Sequence, residues 1–381
     1  MSTMSTQVLI VGAGPAGLAT AIGLAQKGVD FRIVDALPDA QNTSRAAVVH
    51  AATLEKLEIL GVAGDLLARG IKVPNFRIRD RDDVLLHIDF TVLPGKYRHA
   101  LMIPQDETEA TLTGRLRALG HEVMRPVELR RFDRAGDGFR IALDMAGDEV
   151  SLDCRYLVGA DGMRSAVRDA GEIGFPGKTY GSFMLADVRM QWPIASDEVT
   201  LYFSEAGTLV VAPMSERRYR VVAQHPDAPA EPDLADVQAI LDARGPRSGA
   251  RVEEVLWGSR FHVHHKLSET FHDRRLLLVG DAAHVHSPAG GQGMNLGLRD
   301  AVALAEALSV AIDTQNDEPL QRYDGSRRGA AREVLGRTDR LTQLATLKSP
   351  VLSWTRNRLL RMVGASDAAR RRFAAMLAGF S

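Results

Sequence analysis

Gln7-Val-Leu-Ile-Val-Gly-Ala-Gly-Pro-Ala-Gly17 joins a short apolar run to a glycine-rich turn. An apolar run of this length is what a strand buried on both faces of a parallel sheet needs. Ala16 to Lys27 then carries helix formers and stops before Gly28, a plausible C-cap. A second strand, Asp30-Phe-Arg-Ile-Val34, ends at Asp35. Together these form a β-α-β unit whose turn fits G-x-G-x-x-G. Gly12 permits the tight turn, Gly14 lets a pyrophosphate approach the backbone, and Gly17 lets helix and strand pack closely. The helix N-terminus offers free N–H groups and the positive end of its dipole to phosphates. Asp35 stands about 20 residues on, where a carboxylate accepts hydrogen bonds from ribose hydroxyls. The unit points to a dinucleotide, and the acid at position 35 disfavours a 2′-phosphate there.

Working outward, two more segments place an aspartate just past an apolar run. Asp161-Gly162 follows Arg155-Tyr-Leu-Val-Gly-Ala160, and Asp281 follows Leu276-Leu-Leu-Val-Gly280. Both fall at the carboxyl edge, where open α/β sheets hold ligands. Downstream, Ser287-Pro-Ala-Gly-Gly-Gln-Gly-Met-Asn295 lets backbone approach a flat ligand, and a long helix is expected from about Asn295. His284 and His286, and the alternating His262, His264 and His265, lack a third ligand at a telling spacing, so no metal site is expected.

Residues 71–101 read as β structure, 104–119 as a helix, and 175–265 alternate in a strand-like way. The fold class expected is α/β, with a discontinuous Rossmann-like domain, an inserted β-sheet domain and a helical C-terminal segment. The expected divisions are 1–72, 101–172 and 268–345 for the first domain, 73–100 and 173–267 for the second, and 346–381 for the tail. The tail's Arg356, Arg358, Arg361, Arg370, Arg371 and Arg372 suggest an exposed helix packed on the first domain with solvated arginines, rather than a membrane-surface helix.

The chain has 381 residues, suiting two or three domains, and a formal net charge of −1. That balance favours neither nucleic acid nor a membrane surface. No long apolar stretch predicts stable membrane insertion. Met1 to Gln7 reads as neither a signal nor a transit peptide. The single cysteine, Cys154, suits a reducing cytoplasm and is expected to be packing.

The three motifs together resemble the FAD-dependent class A aromatic hydroxylases, the para-hydroxybenzoate hydroxylase-like flavoprotein monooxygenases, nearest to the phenol and polyketide hydroxylases. The resemblance runs from Val8 to about Arg328 and includes Ser44-Arg-Ala-Ala47 and Pro104-Gln105 with Glu109. It implies FAD, with NADPH or NADH as co-substrate and molecular oxygen as reactant. Oxygen adds at the flavin C4a carbon, and its distal atom passes to an electron-rich carbon of an aromatic or polyketide-like small molecule. Carried over by position, Gly12, Gly14, Pro15, Ala16 and Gly17 would line the pyrophosphate, and Asp35 with Ala36 the adenosine ribose. Arg45 would neutralise the diphosphate. Gln105 would face the ribityl or flavin region, and Val127 would lie by the adenine. Asp161 and Gly162 would serve both FAD and the nicotinamide coenzyme, and Asp281 the ribityl or phosphate region. Pro288, Gly291, Gly293, Met294 and Asn295 would frame the isoalloxazine, and the Gly290-Gly291 loop would permit the flavin to move.

Two features depart from the family's pattern: aspartate stands at 35 where glutamate is commoner, and Lys266 where arginine is frequent. A thioredoxin-like C-terminal domain, carried by some phenol hydroxylases, has no counterpart in the sequence, so dimerisation through one is not expected. The oligomeric state is otherwise open. The inserted sheet would carry the substrate pocket, with Phe183, Tyr202, Phe203, Met214 and His225 as candidates. Of these, Tyr202 or His225 could assist loss of a phenolic proton. Trp192, Trp257 and Trp354 form no W-x-W-x-I-P segment, which argues against a flavin halogenase. An FAD-linked reductase of a prenyl-type or other unsaturated substrate, and a non-catalytic flavin- or ligand-binding protein, remain as alternatives.

Overall fold

The computed structural model describes residues 4–40, 46–204, 206–286, 290–345 and 349–380. Its first sheet has the order His272–Asp273, Leu276–Leu278, Asp148–Gly159, Met4–Val11, Phe31–Val34. The last four are mutually parallel. Flanked on both sides, Val8, Leu9 and Ile10 are fully buried, as continuous apolar strands in covered parallel sheets require. Asp148–Gly159 is long enough to serve two neighbours. Its first half pairs antiparallel with Gly138–Met145, which pairs in turn with Val127–Ala135.

A second sheet of eight strands runs His284–Val285, Arg251–Leu267, Gly177–Gln191, Arg218–Gln224, Gly207–Ser215, Glu198–Ser204, Asn75–Asp80, Asp83–Asp89. Only Glu198–Ser204 and Asn75–Asp80 pair in parallel. A small sheet of Val48–Val49, Ala100–Met102 and Ile71–Val73 lies between the two. Helices Pro15–Gln26, Gln105–Ala118 and Gln292–Thr314 cover the first sheet.

The two faces of the second sheet differ. Tyr202, Leu209, Val211, Tyr219 and Val221 pack with Val237, Ile240 and Leu241 of helix Leu234–Arg244. Ala212 and Met214, on the opposite face, pack with Ala47, Val73 and Met102, so this face turns toward the first sheet. Helix Leu234–Arg244 interrupts a stretch expected to alternate throughout as strands. Asp233 and Asp236 form a capping box at its start, and its apolar residues recur at helical spacing.

The tail is helical, over Pro350–Ala365 and Asp367–Leu377. Contrary to expectation, the first of these lies on the edge strand of the second sheet. Asn357 Nδ2 donates to Asp80 Oδ2 at 2.9 Å, and Arg361 pairs with Asp83. Arg356 is buried rather than solvated, its guanidinium 4.8 Å from the Phe203 ring centroid. Arg358, Arg361, Arg371 and Arg372 are exposed. No helix among the described residues is long and apolar enough to cross a membrane.

Candidate active site

Strand Met4–Val11 ends in the glycine turn, and its register with Asp148–Gly159 sets Ala160 beside Gly12. Ala160 N donates to Val11 O at 2.8 Å, and Val279 N donates to Gly159 O at 3.0 Å. The three motifs are thus brought to one edge of the parallel strands. A Cβ on Gly17 would lie 2.0 Å from Gly12 O, so only glycine lets helix Pro15–Gln26 begin there. A Cβ on Gly14 would meet nothing within 4 Å. The protein leaves Gly14 uncovered while packing its neighbours.

Pro15 and Ala16 open the helix, whose first turn contains no acidic residue and whose N-cap has no side-chain hydrogen bond. An uncapped helix start of this kind is a receptor for an anion. Helix Gln292–Thr314 repeats the pattern, with Gly291 as its N-cap at φ 62°, no side-chain cap and no acid in the first turn.

Asp35 is the hub of the adenosine end. Its Oδ2 accepts from Ala13 N at 2.7 Å, while Oδ1 accepts from Leu37 N at 2.9 Å and Arg125 Nη1 at 2.8 Å. One carboxylate therefore ties the glycine turn to the end of the second strand and keeps lone-pair capacity on Oδ2. Ala36 beside it is exposed. Val127 is buried, and its N–H donates to Asp35 O at 2.8 Å.

Asp161 closes a local turn, accepting from Ser165 Oγ at 2.5 Å and Val167 N at 3.1 Å. Burial pushes its carboxyl upward, against these donors. Gly162, at φ 81°, and Asp281, exposed in the turn after Leu276–Leu278, lie at the same sheet edge. His284 is committed elsewhere: its Nε2 donates to Asp300 Oδ2 at 2.7 Å, both groups fully buried.

Around residues 46–50 and 290–295 the chain is stapled to itself. Asn295 Oδ1 accepts from His50 N at 2.7 Å, and its Nδ2 donates to Val48 O and Gly291 O at 2.8 and 2.7 Å. His50 Nε2 donates to Gly290 O at 2.7 Å. Burial lowers the His50 pKa to about 4, leaving the ring neutral with its proton on Nε2. A Cβ on Gly291 would sit 2.1 Å from Val48 Cγ1, so the loop is seated closely on Val48. Gly293 faces only the edge of His286, and Met294 packs on the core. Gln105 Oε1 accepts from Ala46 N at 3.2 Å, and its Nε2 donates to Glu109 at 2.8 Å. Arg45 and Pro288 lie outside the described residues.

The second sheet reaches this region through Arg220. Its Nη1 donates to Ala46 O at 3.0 Å, while its Nε and Nη2 grip both oxygens of Asp187 at 2.7 and 3.0 Å. Tyr202 is fully buried on the far face, and burial raises its phenol pKa. It therefore does not meet the residues above. His225 N donates to Ser182 O at 3.0 Å, just past strand Arg218–Gln224. Sequence reading missed Arg125, His50, Asp187 and Arg220. None stands in a motif, and each acts through a partner distant in sequence.

The donor set fits an extended dinucleotide: an uncovered glycine at a bare helix start, a carboxylate at the end of the second strand, and a second bare helix start. Comparison with known proteins agrees. Residues 5–338 match the model of the FAD binding domain family. 6-Methylpretetramide 4-monooxygenase of Streptomyces rimosus is 34% identical over 351 residues, 91% of this chain and 63% of that protein. Pentachlorophenol 4-monooxygenase of Sphingobium chlorophenolicum is 30% identical over 349 residues, 88% of this chain and 64% of that protein. The chain thus spans less than two thirds of the length of these two relatives. The solved structure of OxyS anhydrotetracycline hydroxylase from Streptomyces rimosus matches with a TM-score of 0.81 and 30% identity, over 99% of this chain and 76% of that one. By this family match and these identities, the chain belongs to the FAD binding domain family.

Proposed function

We propose that the protein is an FAD-dependent monooxygenase that consumes NADH or NADPH and molecular oxygen to hydroxylate an aromatic, phenolic or polyketide-like small molecule. The observation that carries this reading is the meeting of residues 12–17, 160–162 and 279–281 at one sheet edge, in a chain of this family. The relatives named as monooxygenases of 6-methylpretetramide and pentachlorophenol support the reaction and the substrate class. When bound, FAD would supply the redox chemistry, hydride uptake from the coenzyme and oxygen activation.

The chain's own groups bind, orient and exclude water. Gly14, with Gly12, Pro15, Ala16 and Gly17, would hold the pyrophosphate at the helix start. Asp35 would accept a ribose hydroxyl, with Ala36 and Val127 toward the adenine. Gln105, Asp161, Gly162 and Asp281 would serve the ribityl chain, and Gly291, Gly293, Met294 and Asn295 the ring. Arg45 and Pro288 are assigned with them from the family pattern. Helix Gln292–Thr314 presents the positive end of its dipole, which stabilises negative charge without a proton.

We assign residues 1–72, 101–172 and 268–345 to FAD and residues 73–100 and 173–267 to substrate, with 346–381 as a helical tail. Strand alternation puts Val210, Val222 and Phe261 on the face that carries Ala212 and Met214, and these three are only half-buried. They form the apolar wall for a flat substrate. No side chain is assigned as acceptor of a phenolic proton. A cytoplasmic location is in keeping with the single thiol, buried and pushed up to about 12.

The test is consumption of NADH and NADPH by the flavin-loaded protein in aerated buffer, with and without a panel of phenols and polycyclic polyketides. A panel member should accelerate consumption and gain one oxygen. Acceleration that persists without oxygen, with reduction of a double bond, would replace this reading with the reductase.

A further inference from the structure

Behind helix Gln292–Thr314, away from the glycine turn, a pocket of about 70 Å³ opens between that helix, Glu318–Ala345 and Asp367–Leu377. Three guanidinium groups line it, Arg299, Arg327 and Arg337, and the charge of the first two is incompletely met. Asp300 pairs with Arg327 and not with Arg299. Its Oδ1 accepts from Arg327 Nε at 2.5 Å, and its Oδ2 is taken by His284 at 2.7 Å. Arg299 forms no ion pair among the described residues, and its Nη1 donates to the Gly379 carbonyl at 2.6 Å. Nearby Arg337 pairs with Glu333. The group therefore holds one positive charge more than its carboxylates balance.

Two N–H groups are buried without a partner among the described residues, Arg299 Nε and Arg327 Nη2. Burial and the charge of Arg327 both lower the Arg299 pKa. A buried cation whose direct hydrogen bond goes to a carbonyl rather than a carboxylate is costly unless something else compensates it. Gln292, Glu333, Thr338 and Gly379 add polar groups to the lining, and Ala330, Val334, Met376 and Leu377 form its apolar wall.

We propose that this pocket binds a small organic monoanion, a carboxylate on an apolar body, with Arg299 and Arg327 taking the charge and Val334, Met376 and Leu377 the body. A single excess charge matches a monoanion better than a phosphate dianion, and the methyl-lined wall gives an inorganic ion nothing to bury. The pocket shares Gln292 with the glycine loop. Gln292 Nε2 donates to Leu377 O at 2.8 Å and lies against His50, which holds Gly290 O.

The experiment is thermal unfolding of the flavin-loaded protein with benzoate, benzyl alcohol or inorganic phosphate, in wild type, Arg299→Gln and Val334→Glu. Benzoate should raise the midpoint by about 3 °C at roughly 100-fold excess over its Kd. Benzyl alcohol should not, and phosphate should need at least about tenfold more ligand. Arg299→Gln should abolish the benzoate shift while retaining flavin absorbance. Val334→Glu supplies a carboxylate from within, and should raise the ligand-free midpoint and abolish the shift. If Arg299→Gln does not fold, Val334→Glu decides alone. No benzoate shift, an equal shift with benzyl alcohol or phosphate, or a benzoate shift intact in Val334→Glu each overturns the proposal. The last places benzoate in another site.

Discussion

Asp35 and Arg125 meet at 2.8 Å across 90 residues of chain, and the same carboxylate holds Ala13 N at 2.7 Å. Three segments that share no local sequence signal are thereby locked around the end of strand Phe31–Val34. A carboxylate with charged and backbone donors makes the stronger class of hydrogen bond. Asp35→Ala should release the turn and remove the ribose acceptor together. We expect FAD affinity to fall at least about tenfold, or about 1.4 kcal/mol. Arg125→Ala should cost less, because Leu37 N and Ala13 N still hold Asp35. Flavin fluorescence on serial dilution measures both; equal affinity in Asp35→Ala and wild type would remove Asp35 from the FAD site.

Gly14 and Gly17 separate binding from folding. Gly14 has φ −74° and ψ −178°, open to any residue, and space for a side chain. Gly14→Val should leave unfolding of the apoprotein within about 1 °C of wild type and cut FAD binding by about 100-fold, near 2.7 kcal/mol. Gly17→Val drives a side chain into the Gly12 carbonyl and should prevent folding. A Gly14→Val protein that still purifies yellow would contradict the proposed course of the pyrophosphate.

Much of this was legible because the information is local. The glycine turn, Asp35 and the two later aspartates are set by residues within one strand, turn and helix. Arg125, Arg220 and His50 were not, since their partners lie 90, 174 and 240 residues away. Tyr202 illustrates a different limit. Leu201, Tyr202 and Phe203 are consecutive apolar residues, so the sequence carries no alternation to say which face each takes. The fold puts Tyr202 with Leu209 and Val211, and Met214 with Met102 on the other side. Arg356 was misjudged because its cover, Phe203, belongs to a strand far upstream.

The buried pair of Asp187 and Arg220, each about 3% exposed, gives a stability prediction. Asp187→Ala leaves the Arg220 cation inside the sheet without its carboxylate and should cost about 3–5 kcal/mol. Replacing both, as Asp187→Leu with Arg220→Met, should restore part of that loss. Urea unfolding measures it. A loss below about 1 kcal/mol for Asp187→Ala would mean that the pair is not desolvated as its burial requires.

His50 makes stability fall on the acid side. Its folded pKa, about 4, lies below the ordinary value of 6.5. The unfolded chain therefore binds the extra proton first. The neutral ring's contribution is complete above pH 6.5 and is lost as pH falls toward 4. Between pH 7.5 and 5 this amounts to about 2 kcal/mol. His50→Gln should flatten that part of the pH–stability profile. A profile of unchanged slope in the variant would show that His50 is not the group responsible.

The reaction itself is tested most directly by turnover under isotopically heavy oxygen gas with a stimulating phenol or polyketide, followed by mass spectrometry of the product. A flavin monooxygenase places one heavy oxygen atom in the product for each coenzyme oxidised. A product that carries no heavy oxygen, or one that has gained hydrogen instead, would contradict it.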